Sequence, residues 1–272
     1  MTQSLLQVAP VRFEIPAPRS SHAHTGKSDP IDTESAARSI LGQDVARLSS
    51  PRQTGDRTAL RVLLTARSLI DQQRTANRNA LNALVRSTDL KLDARKPLTD
   101  AQIKTIAAWR ITTSSTATQI LRAEAKRLAL AIMTETGELT ENNRALASLT
   151  EALAPGLQEL PGVGPVTGAI LVTAYSHHGR IRSEAAFAAL GGIAPIPASS
   201  GNNTRYRLSR SGDRQLNRAV DVVVRTRMSF DPTTRAYVER RRAEGHTPRE
   251  IRRCLKRYVV RALFRQLQVR MS

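Results

Sequence analysis

The chain has 272 residues, of which 40% are hydrophobic and 24% charged, and its 42 Lys and Arg against 23 Asp and Glu give a formal net charge of +19. This is the composition of a globular protein with one large domain or two modest ones, and the charge indicates a polyanionic partner, most commonly nucleic acid. No apolar run approaches ~20 residues, the start of the chain shows no secretory signal, and Cys254 is the only cysteine, so the sequence excludes a membrane span, a disulfide framework and a cysteine-based zinc site.

The basic residues are concentrated near the C-terminus. Residues 180–272 hold 21 of the 42 Lys and Arg but only 7 of the 23 Asp and Glu. Arginine outnumbers lysine by 36 to 6, which is typical of a codon bias, yet a bias alone would not concentrate the charge in one region. Aromatic residues make up only 3%, which argues against a protein that stacks single-stranded bases. We expect a nucleic-acid-binding protein of the cytoplasm, associated with the nucleoid.

The N-terminal segment is predicted to begin with a strand and to continue into a helix. The apolar run Val8–Ile15 is typical of a strand, and a stretch rich in Pro, Ser and His follows it. Ser28 or Asp29 is a good N-cap for the next helix, whose first position suits Pro30. Glu34 adds a favourable charge to the first turn.

A long helix without Gly or Pro is predicted from Asp56 to about Arg86. Small and apolar residues alternate there by three and four around two polar residues, in the series Leu63, Ala66, Ile70, Gln73, Asn77, Ala80 and Leu84. Such a stripe usually packs in an intramolecular bundle, and its polar positions also suit a partner helix and hence a dimer. We therefore expect a coiled-coil-like linker and a homo-oligomer.

More helices are predicted before residue 154. One is expected to begin near Thr99 or Asp100. Two others, over 116–136 and 140–153, are predicted to be separated by Gly137, because glycine weakens a helix interior.

Pro155 and Gly156 mark the boundary to the last region of the chain. Residues 212–228 and 247–267 are predicted helices, and Thr247 followed by Pro248 and Glu250 is a clear helix start.

The strongest local motif is the run from Leu160 to Gly168, Leu-Pro-Gly-Val-Gly-Pro-Val-Thr-Gly. An apolar helix end, a Gly-x-Gly turn and an apolar helix start predict a helix-hairpin-helix over 157–172. Backbone N–H groups at the second helix can hold a phosphate without reading the base sequence, which predicts DNA-binding roles for Gly162, Val163, Gly164 and Thr167. Valine at Gly162 or Gly164 is expected to block that approach. The alternative is a plain connection between helices that binds no ligand.

Three other patterns are weaker. Gly26-Lys27-Ser28 is no P-loop, because that motif needs a glycine where position 21 is serine. Asp29 and Asp32 lie three apart at a helix start and could hold Mg²⁺, although the spacing alone favours capping. Ser199-Ser200-Gly201 lies before a basic run and could supply a nucleophile, although a Ser-Gly turn is the ordinary interpretation.

Five features follow one another along the chain: KSDPIDTESAAR, a long helical spacer, LPGVGPVTGAILV, FAALGGIAPIPASSG and RLSRSGDRQLNRAV. In this combination the chain resembles the DEDD transposases of bacterial insertion sequences, the IS-110/IS-116/IS-902 group, from about Val8 to Leu267. The resemblance implies a mainly α chain in three parts. These are the remnant of an RNase H-like (RuvC-like) α/β domain over 1–50, a helical linker over 51–153, and a helical C-terminal transposase domain over 154–272.

The resemblance also implies a chemistry. Family members recombine double-stranded DNA with four Mg²⁺-binding acids and a serine nucleophile, and some are guided by an RNA that the element encodes. Asp29 and Asp32 match the last two acids, and Ser200 matches the serine, with Ser199 as the alternative. The arginines of the basic run would then lie along the DNA near the serine: Arg205, Arg207, Arg210 and Arg214.

The chain departs from the family pattern at its start. Only 28 residues precede Asp29, and Glu14 is the only acid among them, so the first two acids of the set have no match. We therefore expect an N-terminally truncated transposase that binds DNA but is catalytically impaired. The alternative function is a non-catalytic DNA-binding and dimerising protein that regulates a full-length transposase. An RNA-binding protein unconnected with transposition is a third possibility.

Overall fold

In a computed structural model of the protein, the described residues are 33–34, 37–38, 40–44, 51–52, 54–93, 95–111, 115–194, 196–197, 206–207 and 212–272. The predicted strand Val8–Ile15 and the predicted helix start at Ser28–Pro30 lie outside this part. The described part is mainly helical, as predicted. None of its helices combines the length and the apolar character needed to cross a membrane.

Two long helices form an antiparallel hairpin. Helix α1 covers Asp56–Ser87 and helix α3 covers Thr116–Leu153. Side-chain hydrogen bonds link the two helices. The Nδ2 of Asn142 donates to the carbonyl oxygen of Leu63 at 3.0 Å, and the Nδ2 of Asn77 donates to Oε1 of Glu135 at 2.6 Å. The polar residue Asn77 of the predicted stripe therefore bonds within the chain, and self-association stays a prediction.

Helix α2, Asp100–Ala107, packs against the far end of this hairpin. Its start is confirmed, because Thr99 and Gln102 form a reciprocal capping box. Helix α2 contributes Ile103 and Ile106 to a small hydrophobic core. The remaining buried members of that core are Leu81, Val85, Leu90, Leu98, Ala107, Ala125, Leu128, Ala129 and Ile132.

The apolar stripe of α1 differs from the predicted series. Its buried apolar residues are Leu60 and Leu64 near one end and Leu81 and Val85 near the other. From the predicted series Gln73 and Ala80 are exposed, while Leu63 and Leu84 are partly buried. The physical reason is that the two ends of α1 pack into two separate cores. The middle of the helix buries no side chain fully.

The predicted break at Gly137 is wrong, because α3 is one helix from Thr116 to Leu153. The apolar residues Ile132 and Leu139 on either side of the glycine are buried. Packing of these side chains outweighs the cost of a glycine in a helix, which is about 1 kcal/mol relative to alanine.

This arrangement predicts that Gly137→Ala stabilises the protein by about 0.5–1 kcal/mol. An added Cβ at position 137 would meet no atom within 4 Å, so only the helix propensity changes. Equilibrium urea unfolding measures the effect, and Ala123→Gly at an exposed position of α3 is the mirror control with the opposite sign. A loss of stability in Gly137→Ala would contradict a continuous helix.

The C-terminal region is a bundle built around a short apolar helix. After a 3₁₀ turn, Leu157–Glu159, its elements are α4 (Pro165–Tyr175), α5 (Glu184–Leu190), β1 (Ile196–Pro197), β2 (Tyr206–Arg207), α6 (Arg214–Phe230), α7 (Pro232–Ala243) and α8 (Pro248–Arg270). Strands β1 and β2 pair antiparallel, with Ile196 opposite Arg207. The helices predicted over 212–228 and 247–267 are confirmed, and Thr247 and Glu250 form the expected capping box.

One hydrophobic core joins this bundle to the base of the α1–α3 hairpin. It contains Leu60 and Leu146 of the hairpin beside Tyr175, Phe187 and Phe264 of the bundle. The three aromatic rings pack edge to face or tilted, with centroids 5.7–6.4 Å apart. The base of the hairpin thus supports the region that carries the candidate site, and the predicted domain boundaries stay a prediction.

Candidate nucleic-acid interface

The turn before α4 is held by apolar side chains below it. Val163 is buried, Leu160 packs against the main core, and the N–H of Val163 donates to the carbonyl oxygen of Leu160 at 2.9 Å. The element before the turn is a three-residue 3₁₀ helix, since α3 already ends at Leu153. The motif therefore has a shorter first arm than the predicted helix-hairpin-helix, and its DNA-binding role stays a prediction.

Gly162 lets the turn lie directly on helix α6. Its φ is +81°, and a Cβ at this position would be 2.9 Å from the carbonyl oxygen and 3.2 Å from the Cα of Val223. Arg227 reinforces this contact, because its Nε donates to the carbonyl oxygen of Pro161 at 2.8 Å. Burial lowers the pKa of Arg227. The absence of a side chain at Gly162 is thus required by the close backbone of α6, and the predicted DNA-binding role of Gly162 stays a prediction.

Gly164 differs from Gly162, because the space around it is open. A Cβ at position 164 would meet nothing within 4 Å, and the backbone is ordinary extended chain with φ −103° and ψ −179°. Its N–H donates to Oγ1 of the buried Thr167 at 2.8 Å, and that hydroxyl donates back to the carbonyl oxygen of Gly164 at 3.0 Å. Thr167 thereby fixes the start of α4 from inside, and its hydroxyl is already used within the chain.

The first turn of α4 lines an open pocket of about 570 Å³. Gly164 has no side chain to cap the helix and Pro165 has no N–H, so the N–H groups of Val166 and Thr167 lack an acceptor within the helix. The positive end of the helix dipole adds to their attraction for an anion. The other walls come from Asn143, Gln158, Glu159, Val222 and Thr226, of which Glu159 is the one acid.

Exposed arginines cover helices α6, α7 and α8. Arg225 pairs with Asp221, Arg240 and Arg241 pair with Glu244, and Arg261 and Arg265 pair with Glu184. Hydrogen bonds from the two arginines, of which that from Arg265 has the larger effect and that from Arg261 the smaller, lower the pKa of Glu184 to about 2. Several exposed arginines form no ion pair with an acid in the described part of the chain: Arg214, Arg218, Arg235, Arg242, Arg249, Arg253 and Arg257. This surface carries a net positive charge available to a polyanion.

Several predicted site residues lie outside the described part, namely Asp29, Asp32, Ser199, Ser200, Arg205 and Arg210. Both serines belong to the connection between β1 and β2, residues 198–205. Arg207 lies in β2, and Arg214 is exposed at the start of α6. Over the described ranges no three His, Cys, Asp or Glu side chains form a group that could hold a metal ion.

The glycine pair Gly191–Gly192 and the single glycine Gly212 meet beside the strand pair. A Cβ on Gly212 would lie 2.7 Å from the N of Gly192 and 2.8 Å from the carbonyl oxygen of Leu190. The N–H of Asp213 donates to that same carbonyl oxygen at 2.7 Å. The segment after α5 and the segment before α6 are therefore in contact, and these are the two motifs quoted from the sequence, Phe-Ala-Ala-Leu-Gly-Gly and Ser-Gly-Asp-Arg.

A polar network that the sequence did not predict lies beside this contact. Nδ2 of Asn217 donates to the carbonyl oxygen of Gly191 at 2.7 Å, and Nζ of Lys256 donates to Oδ1 of Asn217 at 2.6 Å. Nζ of Lys256 also lies 3.5 Å from Oδ1 of Asp221. One feature of the sequence could have drawn attention to Lys256: it is the only lysine after Lys126, in a region where the other basic side chains are arginines or histidines.

The comparisons with known proteins agree with the resemblance of the motifs. Residues 154–239 match the model of the transposase IS116/IS110/IS902 family. Over 135 residues, 47% of the chain, the sequence is 33% identical to the 43.6 kDa protein of insertion element IS110 from Streptomyces coelicolor. The match covers 33% of that protein, so the chain spans about a third of the length of this relative.

Proposed function

We propose that the chain, whose residues 154–239 match the transposase IS116/IS110/IS902 family, is an insertion-sequence transposase whose C-terminal part binds double-stranded DNA. The observation that carries the DNA-binding proposal is the start of α4, where Val166 and Thr167 line an open pocket and their N–H groups lack an acceptor within the helix. Exposed arginines of α6, α7 and α8 that form no ion pair with a described acid add positive charge to this part of the chain. The contacts that backbone N–H groups and arginines make to phosphate carry no base information, so binding through such contacts is independent of sequence.

The proposed chemistry rests on the family alone. The hydroxyl oxygen of Ser200, or of Ser199, would bond to the phosphorus of a DNA phosphodiester and displace one bridging sugar oxygen; the serine hydroxyl loses its proton, and the displaced oxygen takes one up and leaves as a free hydroxyl. Arg205, Arg207, Arg210 and Arg214 would lie along the DNA backbone beside this serine. Asp29 and Asp32 would hold Mg²⁺, which lowers the barrier to phosphoryl transfer by neutralising charge on the phosphate oxygens. An element-encoded RNA is a further proposed partner. Because only two of the four family acids have a match in the sequence, we expect little or no strand exchange of element DNA in the presence of Mg²⁺. Abundant exchange product would contradict this expectation.

We predict that Gly164→Val lowers the affinity for duplex DNA by about tenfold, equally for unrelated sequences. The valine side chain would stand where a phosphate oxygen reaches the N–H groups of α4, and losing one charge-assisted contact is worth about 1.5 kcal/mol. The backbone of Gly164 suits valine and the space is open, so the melting temperature should not change. Fluorescence anisotropy with a labelled duplex measures the affinity.

The matched control is Ala123→Val, an exposed position on the far half of α3 that lies outside the C-terminal bundle. This variant is expected to bind DNA like the wild type. Wild-type affinity in a folded Gly164→Val protein would show that the turn before α4 is only structural.

A further inference from the structure

The side chain of Lys256, on α8, is mostly buried where α8 packs against α6. Its side chain is 15% exposed, and its ammonium group contacts α6 through Asn217 and Asp221. Arg225 and Arg252 are the other charged groups near it, and Arg225 is itself paired with Asp221. Burial lowers the pKa of Lys256, and the carboxylate of Asp221 opposes that shift. The ammonium is therefore directed into the protein, unlike the exposed arginines of the same helix.

The bonds of Asn217 carry this contact to the strand pair. The amide of Asn217 accepts from Lys256 through its oxygen and donates to the carbonyl oxygen of Gly191 through its nitrogen. Gly191 ends α5 and precedes Gly192, which touches Gly212 on the returning segment. Lys256, Asn217 and Gly191 thus form a continuous chain of hydrogen bonds from α8 across α6 to the point where the chain leaves for β1.

We propose that Lys256 and Asn217 are positioning residues that hold the base of the β1–β2 segment in place on the bundle. The relevance to catalysis rests on the proposed function, because Ser199 and Ser200 lie in the sequence between the two strands. Asn217 is suited to this task because its amide is bonded at both ends and has a single orientation. The ammonium of Lys256 strengthens the bond that fixes this orientation, since a charged donor makes the stronger hydrogen bond.

The matched variants are Lys256→Met, Asn217→Ala and Lys256→Arg, with Arg253→Met as the control. Lys256→Met removes the donor and keeps the apolar stem, whereas Asn217→Ala removes both hydrogen bonds without changing the charge. Lys256→Arg restores a charged N–H donor. Arg253→Met removes the same charge from an exposed position on the same helix.

Hydrogen–deuterium exchange of the full chain tests the proposal. In Lys256→Met and Asn217→Ala, peptides covering 188–194 and 212–217 should exchange about five- to tenfold faster, because the hydrogen bonds that restrain local opening are weakened in the first variant and lost in the second. Exchange in α4 should not change. Lys256→Arg should restore most of the protection, and Arg253→Met should show wild-type exchange at 188–194 and 212–217.

Two results would overturn the proposal. One is unchanged exchange at 188–194 and 212–217 in the folded variants, and the other is faster exchange spread over the whole bundle, which would make Lys256 an ordinary support of the core. If Lys256→Met does not fold, the exchange measured in Asn217→Ala decides whether the proposal stands. Duplex DNA affinity is measured on the same samples. A wild-type chain that does not bind DNA would remove the proposed function but leave the exchange results standing.

Discussion

Gly162→Ala is expected to destabilise the protein by about 3 kcal/mol. The left-handed conformation at this residue costs an L side chain about 1–2 kcal/mol, and the new Cβ would press on the backbone of Val223 at 2.9 Å. Backbone atoms inside a helix cannot turn away as a side chain can, so the turn and α6 must separate. The midpoint and slope of urea unfolding measure this loss.

Gly179→Ala separates the two contributions to that loss. Gly179 has nearly the same φ, +84°, but an added Cβ there would meet nothing within 4 Å. It should therefore cost only the conformational strain, about 1 kcal/mol. Equal losses in Gly162→Ala and Gly179→Ala would refute the close contact between the turn and α6.

Gly212→Ala is the second substitution with a large expected effect, also about 3 kcal/mol. Its φ is +120°, and its Cβ would lie 2.7 Å from the N of Gly192 and 2.8 Å from the carbonyl oxygen of Leu190. Relief of this contact would also stretch the hydrogen bond from Asp213 to Leu190. We therefore expect lower stability in urea unfolding together with faster amide exchange over 190–194 and 212–216.

The control for Gly212 is Gly245→Ala in the turn after α7. Gly245 has φ +84° and open space around it, so its substitution should cost about 1 kcal/mol and leave exchange near Gly192 unchanged. Wild-type stability in Gly212→Ala would mean that the segments before β1 and after β2 are not packed together.

The helix ends were largely predictable, because they depend on residues close in sequence. Thr99 with Gln102 and Thr247 with Glu250 are capping boxes that can be read without knowing what packs against them. The order of the motifs in the chain likewise sufficed to indicate the family that residues 154–239 match.

Features that depend on distant contacts were not predictable in the same way. Gly137 carries an ordinary signal for a helix break, and only the burial of Ile132 and Leu139 keeps α3 continuous. The regular spacing along α1 gives no sign that its two ends enter separate cores. Tertiary packing decides both cases.

In the candidate site, too, the sequence predicted local features but not contacts between distant residues. The motif does not distinguish Gly162 from Gly164, yet Gly162 is packed against Val223 while the space around Gly164 is open. The bonds from Lys256 to Asn217 and on to Gly191 join residues 39 and 26 positions apart. No periodicity or spacing in the sequence contains such contacts, so only the rarity of lysine could have drawn attention to them.

If the C-terminal bundle binds duplex DNA through the phosphate backbone, as proposed, the affinity must fall steeply as the salt concentration rises. The full chain would be titrated with two unrelated DNA duplexes and with duplex RNA of matching sequence, from 50 to 200 mM salt. Six or more phosphate contacts predict a loss of affinity of about a thousandfold over this range, equal for both DNA sequences. Absent DNA binding, affinity that is insensitive to salt, or clearly tighter binding to RNA than to DNA would contradict the claim.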